Sequence, residues 1–468
     1  MMFRHSSIAA CLLVVTACAV EKPPSIDETA KSSLPETTEI APAYVEAANA
    51  AKGAVTDGWL KTFADPKLEA IVAEAIKNNL NLKAAVARVD AAAGFATQAG
   101  TELTPVVGLG GRGLAQEGFS ASDPALTSSG VALNMSWELD LWGRVRAQAQ
   151  AGEAAFEAAQ YELEWAYQSI AAQTAKIWFL VTEAKLQLDL AQQAQALYER
   201  NLKLIEAKRK QGQLSSREVA LARAQVAAGQ ATIRRARGAK QQASRALEVM
   251  LGRYPSAEIE GADDLVATLS PIPIGLPSEL LERRPDLRAA ERAVAAQFLQ
   301  IQSAEAAKLP TISLTAGVGT SSNELSNILS LDSDYWTAGA NFMAPIFTGG
   351  ALAAQVDIES AQFQEAMANY GLVALRAFSE VEQGLANETL LREREEFLRQ
   401  VLIESSEALR VAQVQFNVGK VDYLLVLQQQ GQVIAARVNL LNMQDQRLQQ
   451  RIDLHLALGG SFDEKPVE

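Results

Sequence analysis

Apolar residues step by three and four along two long stretches of this 468-residue chain. In the first, Ile177, Val181, Ala184, Leu188, Ala191, Tyr198, Leu202 and Ile205 keep the spacing, with Gln195 filling the one gap. Phe363, Met367, Tyr370, Ala374, Ala377, Val381 and Leu385 do so in the second. A pattern sustained over so many turns predicts coiled-coil seams on helices of about 145–211 and 350–418. At 1.5 Å per residue each helix would span roughly 100 Å, too long for an ordinary globular core. Shorter helices are predicted at about 66–99, 216–251, 278–305 and 421–458. In the first half the two shorter helices together match the long one, so stacked end to end they could flank it. Each helix would then bury narrow Ala-rich stripes against both neighbours.

Between these helices the period changes from 3.6 to 2. Val131, Leu133, Met135, Trp137, Leu139 and Leu141 alternate with Ala132, Asn134, Ser136, Glu138 and Asp140. Ile312, Leu314, Ala316 and Val318 are opposed by Thr311, Ser313, Thr315 and Gly317, and Trp336 to Ile346 repeat the alternation less strictly. Strands are predicted at about 105–116, 129–142, 310–321 and 336–347. Their length and single apolar face suit transmembrane β-strands. Trp137, Trp142, Tyr335 and Trp336 lie within or at the ends of these strands, where aromatic girdles form at membrane interfaces. Soluble hairpins packed on a helical face are the alternative.

The whole arrangement occurs twice. Asn81-Leu82-Lys83-Ala84-Ala85 recurs as Asp286-Leu287-Arg288-Ala289-Ala290, and Pro105 and Pro310 stand 23 residues after each leucine. Trp142-Gly143 answers Thr348-Gly349, Gly212 answers Gly419, and Leu251-Gly252 answers Leu458-Gly459. A repeat of about 205 residues is too long for a solenoid unit and reads as a duplicated half-molecule. The halves are 57–252 and 278–460, joined by an irregular, proline-rich linker at 253–277 and followed by a tail at 461–468.

Composition and the chain's start narrow the class. Arg4 precedes an apolar run, Ile8 to Val15, too short to be a permanent membrane helix. It leads into Val15-Thr16-Ala17-Cys18, which matches a bacterial lipobox. Residues 1–17 are therefore expected to be a signal peptide and Cys18 the acylated first residue of the mature chain. Ala19, in place of an aspartate, favours the outer membrane. Residues 18–56, rich in Pro, Glu, Ser, Thr and Ala, are expected to form an extended tether. A formal charge of −13 makes nucleic acid an improbable partner. Catalysis finds little support. Of two histidines, His5 leaves with the signal peptide and His455 stands alone, so no His-based metal cluster or triad is available in one chain. No phosphate-binding loop or nucleophile elbow occurs, and the many helical carboxylates read as solvated faces. No catalytic residue, metal or cofactor is assigned.

Four strands cannot enclose water, since small barrels need about eight. An open sheet in lipid leaves edge N–H and C=O groups unsatisfied, so other chains must close it. Patterning does not choose among two, three or four copies.

The run Ser136-Trp137-Glu138-Leu139-Asp140-Leu141-Trp142-Gly143-Arg144-Val145-Arg146 resembles the signature of the TolC-like outer membrane factor family, in its lipoprotein branch from drug-efflux systems. Trp59 with Phe63-Ala64-Asp65-Pro66-Lys67-Leu68, Arg283-Arg284-Pro285-Asp286-Leu287, and Pro345-Ile346-Phe347-Thr348-Gly349-Gly350 resemble three further motifs of that branch. The resemblance covers essentially residues 57 to 460. It implies a mostly α fold with a transmembrane β-barrel: a homotrimer with a twelve-stranded barrel above an α-helical periplasmic tunnel. It also implies an equatorial belt from the linker and chain ends. The hairpin tips, marked by Gly212, Leu214 and Ser216 and by Val418, Gly419 and Val421, would meet a periplasmic adaptor. An inner-membrane proton-driven transporter of the resistance-nodulation-division type would supply cargo. Leu424 would form an apolar constriction at the tunnel entrance. Gln428 stands where relatives often carry an acid, which weakens any cation-binding ring there. Asp422 is a candidate for entrance charge or, as the residue before a helix, for an N-cap. The expected function is the passive outer-membrane duct of a tripartite efflux pump. Rival readings are an exit duct for type I protein secretion and, in another class, a periplasmic coiled-coil adaptor lipoprotein with no pore.

Overall fold

The computed structural model describes residues 20–35, 37–38, 40–46, 51, 53–116, 126–266, 270–324, 328 and 333–463. The signal peptide and Cys18 lie outside them. A short helix, α1 (Ile26–Ser33), is followed by α2 (Pro66–Asn78), α3 (Leu80–Thr101), β1 (Val106–Gln116), β2 (Leu126–Leu139), α4 (Arg144–Lys210) and α5 (Ser216–Met250). The second half repeats the order with α6 (Pro277–Arg283), α7 (Pro285–Ala306), β3 (Thr311–Ser322), β4 (Asp334–Met343), α8 (Ala351–Asn417) and α9 (Tyr423–Ala457). The seams predicted on α4 and α8 are buried through Val181, Ala184, Leu188, Ala191, Gln195, Tyr198 and Ile205, and through Tyr370, Ala374, Ala377, Val381 and Leu385.

The chain divides into two compact units, each assembled from separated stretches of sequence. One holds α1, the four strands and α7; the other holds α2, α5, α6, α9 and both helix–helix turns. In the second unit Trp59, Phe63, Leu68 and Val72 pack with Trp178, Phe179, Val181, Leu247, Leu448 and Ile452. Each large side chain so buried contributes about 1.5–3 kcal/mol.

Five expectations are corrected. The helices expected at 66–99 and 278–305 are each broken, at Asn79 and Arg284, which are equivalent positions in the two halves. Arg284 is extended because the ring of Pro285 disfavours helical geometry in the residue before it. Asn79 makes its own break: its side-chain oxygen accepts from the N–H groups of Asn81 (2.9 Å) and Leu82 (3.3 Å), and its amide donates to the carbonyl of Met250 (3.0 Å). The strand expected at 129–142 occupies 126–139 because Asp140 turns to cap α4. The strand expected to reach 347 stops at Met343, two residues before Pro345, which has no N–H for a ladder. Part of the expected tether is helical. Ser25 caps α1 in a reciprocal box with Glu28, whose carboxyl these bonds hold below its ordinary value, and Thr29 and Ala30 are buried. Gly371 of α8 makes room for that helix's end, since a Cβ there would lie 2.5 Å from the carbonyl oxygen of Ser33.

Candidate functional site

The strands form one antiparallel sheet in the order β1-β2-β3-β4, so the two halves meet at the β2–β3 pair. Register fixes the faces. Leu109 pairs with Leu133, Leu133 with Val318, and Val318 with Trp336; Val107 pairs with Met135 and Ile312 with Phe342. These side chains form one apolar face, and Leu109, Val318, Trp336 and Phe342 are each more than half exposed. On the other face lie Asn134, Ser136, Thr315, Thr337 and Asn341, between several glycines. An exposed apolar sheet face of this extent marks a surface made for lipid or protein. Among the described residues β1 and β4 are paired on one side only. The register also separates the expected aromatics. Trp137 and Trp336 share the apolar face, Tyr335 lies on the opposite one against Gly319, and Trp142 lies beyond the strand.

The junction of sheet and helix explains the Trp-Glu-Leu-Asp-Leu-Trp-Gly-Arg run. Asp140 accepts hydrogen bonds from the backbone N–H groups of Val145 and Arg146, both at 3.0 Å, and from Nε of Arg146 at 2.9 Å. It thereby satisfies donors that the first turn of α4 leaves free. Glu138 pairs with Arg144 through both oxygens, at 3.1 and 3.0 Å. The indole of Trp137 donates to the carbonyl of Leu103 (3.0 Å) and that of Trp142 to the carbonyl of Pro310 (2.6 Å). The other motifs are structural ties as well. Asp65 caps α2 and accepts from the indole of Trp178 at 2.7 Å. Arg284, 2% exposed, reaches Glu380 (2.7 Å) and the carbonyl of Ala457 (3.2 Å) and lies over the ring of Trp165.

The two helix turns have the same geometry. Gly212 and Gly419 both adopt φ of 75°, a left-handed conformation that favours glycine. At the first turn Gly212 N donates to the carbonyl of Arg209 and Gln213 N to that of Lys208; at the second, Gly419 N donates to Phe416 and Lys420 N to Gln415. Each helix is thus ended by a paired C-cap. Beneath both turns, Ile205, Val219, Ala222, Ala412, Phe416, Tyr423 and Val426 form a single cluster, with Leu214 and Val421 packed against it. Gly212, Ser216, Val418 and Gly419 are exposed. The cap of α5 is Ser215, with Ser216 the first helical residue; Asp422 caps α9 by accepting from Leu425 N at 3.1 Å. Leu424 is half-buried and Gln428 exposed, one turn apart on α9.

A buried polar layer escaped the sequence pattern, which reads carboxylates on helices as solvated. Glu183 on α4 and Asp445 on α9 are both buried; Gln187 bonds Glu183 and Asn442, and Gln449 bonds Asp445 at 2.5 Å. Burial, reinforced by the Glu183 charge, pushes the Asp445 carboxyl up to about 7. His455 stacks on Trp59 at 5.7 Å, and burial together with the Arg451 charge lowers it to about 3, so it is neutral at ordinary pH. Among the described residues no cluster of three potential metal ligands occurs, and no helix is long and apolar enough to cross a membrane.

The repeat, the sheet and the paired turns match one known family twice. Residues 71–253 and 276–460, one segment per half, each match the outer membrane efflux protein family. The chain belongs to that family. It is 28% identical over 419 residues to the cation efflux system protein CusC of Escherichia coli, covering 89% of this chain and 91% of CusC. It is 30% identical to the toluene efflux pump outer membrane protein TtgF of Pseudomonas putida, covering 86% and 85%. Among solved structures, the open state of the MtrE outer membrane channel of Neisseria gonorrhoeae superposes with a TM-score of 0.82, at 27% identity, covering 95% of this chain and 99% of MtrE. As an outer membrane efflux protein it combines helical tunnel elements with the strands of a channel barrel, and it is not a pore-free adaptor.

Proposed function

We propose that this outer membrane efflux protein is the passive outer-membrane duct of a tripartite pump, working as a homotrimer whose twelve strands close one barrel. The observation that carries this reading is the open four-stranded sheet, apolar on one face and paired on one side only at β1 and β4. In lipid every unpaired edge N–H and C=O costs several kcal/mol, and antiparallel pairing of β4 with β1 of a second copy removes that cost. Three copies supply twelve strands. Acylation of Cys18 would add a lipid anchor, and Trp137, Trp142 and Trp336 would meet the membrane boundaries, whereas Tyr335, on the face opposite Trp336, would turn to the lumen instead of the expected girdle. The turns at Gly212, Leu214 and Ser216 and at Val418, Gly419 and Val421 would receive a periplasmic adaptor, which links the duct to a proton-driven inner-membrane transporter. Leu424, with Gln428 and Asp422 nearby, would narrow the tunnel entrance, where a ring of apolar side chains blocks flow by dewetting. No step of transport asks this chain for catalysis, a cofactor or a metal. The printed names of the relatives range from cation to toluene efflux, which supports a duct that accepts what its pump delivers.

Two measurements test the proposal. Cysteine pairs placed along β1 and β4, in a chain with Cys11 retained in the signal peptide, should cross-link to a covalent trimer in membranes. Purified protein should conduct ions in planar bilayers, with Leu424→Ala, which removes the closed-state apolar constriction, raising the resting current. Protein that stays monomeric and passes no current would refute the duct.

A further inference from the structure

The structure assigns Arg112 as the charge-selecting residue of the barrel lumen, an inference that rests on the trimeric duct proposed above. Its position follows from register alone. Val107 and Leu109 of β1 stand opposite Met135 and Leu133 on the apolar face. Arg112 pairs with Gly130 and, three residues beyond Leu109, belongs to the other face, the one a closed barrel turns toward water. That face is otherwise built from neutral groups: Asn134, Ser136, Ser313, Thr315, Thr337 and Asn341. Its one other charged side chain among the described strand residues is Glu138, at the strand end, which Arg144 neutralises through both oxygens. Asp334, at the start of β4, pairs with Thr320 in line with the apolar face. Arg112 is exposed and makes no ion pair with a described residue.

Its neighbours leave it room. Gly110 precedes it by two on the same face, Gly130 stands directly across, and Leu114, two residues on, is apolar, so none of these neighbours supplies a counter-charge. Three symmetry-related Arg112 side chains would lie at one level of the lumen. A ring of like charges at a single level sets ion preference in a pore. The ring should favour small inorganic anions over cations and hold anionic groups of passing cargo.

The test is the reversal potential of the full-length protein in planar bilayers under a potassium chloride gradient. Arg112→Gln should lower the chloride-to-potassium permeability ratio severalfold, Arg112→Glu should lower it further, and Arg112→Lys should keep the wild-type ratio. The differences should fade near 1 M salt, where the screening length is about 3 Å. Conducting Gln and Glu variants with the wild-type ratio would overturn the assignment. A wild type that passes no ions would overturn the duct and the ring together.

Discussion

Replacing Asp445 by Asn should stabilise the protein at neutral and alkaline pH and do almost nothing in acid. Asp445 sits on α9 with 6% of its surface exposed; one carboxylate oxygen takes Gln449 and the other has no hydrogen-bond partner. Desolvation is the larger influence on it and the buried Glu183 carboxylate across on α4 the second, and both favour the protonated form. With the carboxyl raised from 3.8 to about 7, the unfolded chain gives up this proton first as pH rises. The contribution to stability is intact below about pH 4, declines through the window up to about pH 7, and is level above it. The full loss is about 4 kcal/mol at most. Asparagine keeps the shape and stays neutral, so the stability gained by Asp445→Asn should be about 3 kcal/mol larger at pH 8 than at pH 4.5. Urea unfolding in detergent, followed by tryptophan fluorescence, reads the difference, since Trp178 lies in the same unit. Glu183→Gln should remove part of the same dependence, and the double variant should be non-additive. An equal effect of Asp445→Asn at both pH values would refute the reasoning.

Three further outcomes are expected. Asn79→Ala removes the cap of α3 and its bond to Met250, and should cost about 1–2 kcal/mol in the same unfolding measurement. Arg284→Ala loses the bonds to Glu380 and Ala457 and the contact with Trp165, for about 2–3 kcal/mol. Arg284→Lys should fail to restore it, because an ammonium cannot reproduce the planar fork. Gly371→Val should push α1 off its seat through Ser33 and speed tryptic cleavage at Lys31, while the circular dichroism of the long helices stays unchanged.

The long helices, the strands and the duplication could be read in the residues because each is periodic over many turns. A seam of alanine, leucine and tyrosine every three or four positions has one low-energy solution, burial against a parallel surface, and the structure realises it from Val181 to Ile205. The turn glycines were legible for a similar reason: a left-handed C-cap has few chemical solutions. What sequence could not separate were outcomes set by partners distant in the chain. Glu183 and Asp445 look like ordinary helical carboxylates until folding brings α4 and α9 together and removes their water. The motif around Asp140 reads as a signature, but its work as a helix cap depends on where the strand stops. The two faces of β4, and with them the opposed directions of Tyr335 and Trp336, are foreshadowed by alternation; which face is apolar across the whole sheet emerges only from register with β3. Periodicity in one segment reports local geometry and burial, whereas hydrogen-bond partners and dielectric environment belong to the assembled chain. The first was determined by the residues in order, the second by which helices and strands came to lie side by side.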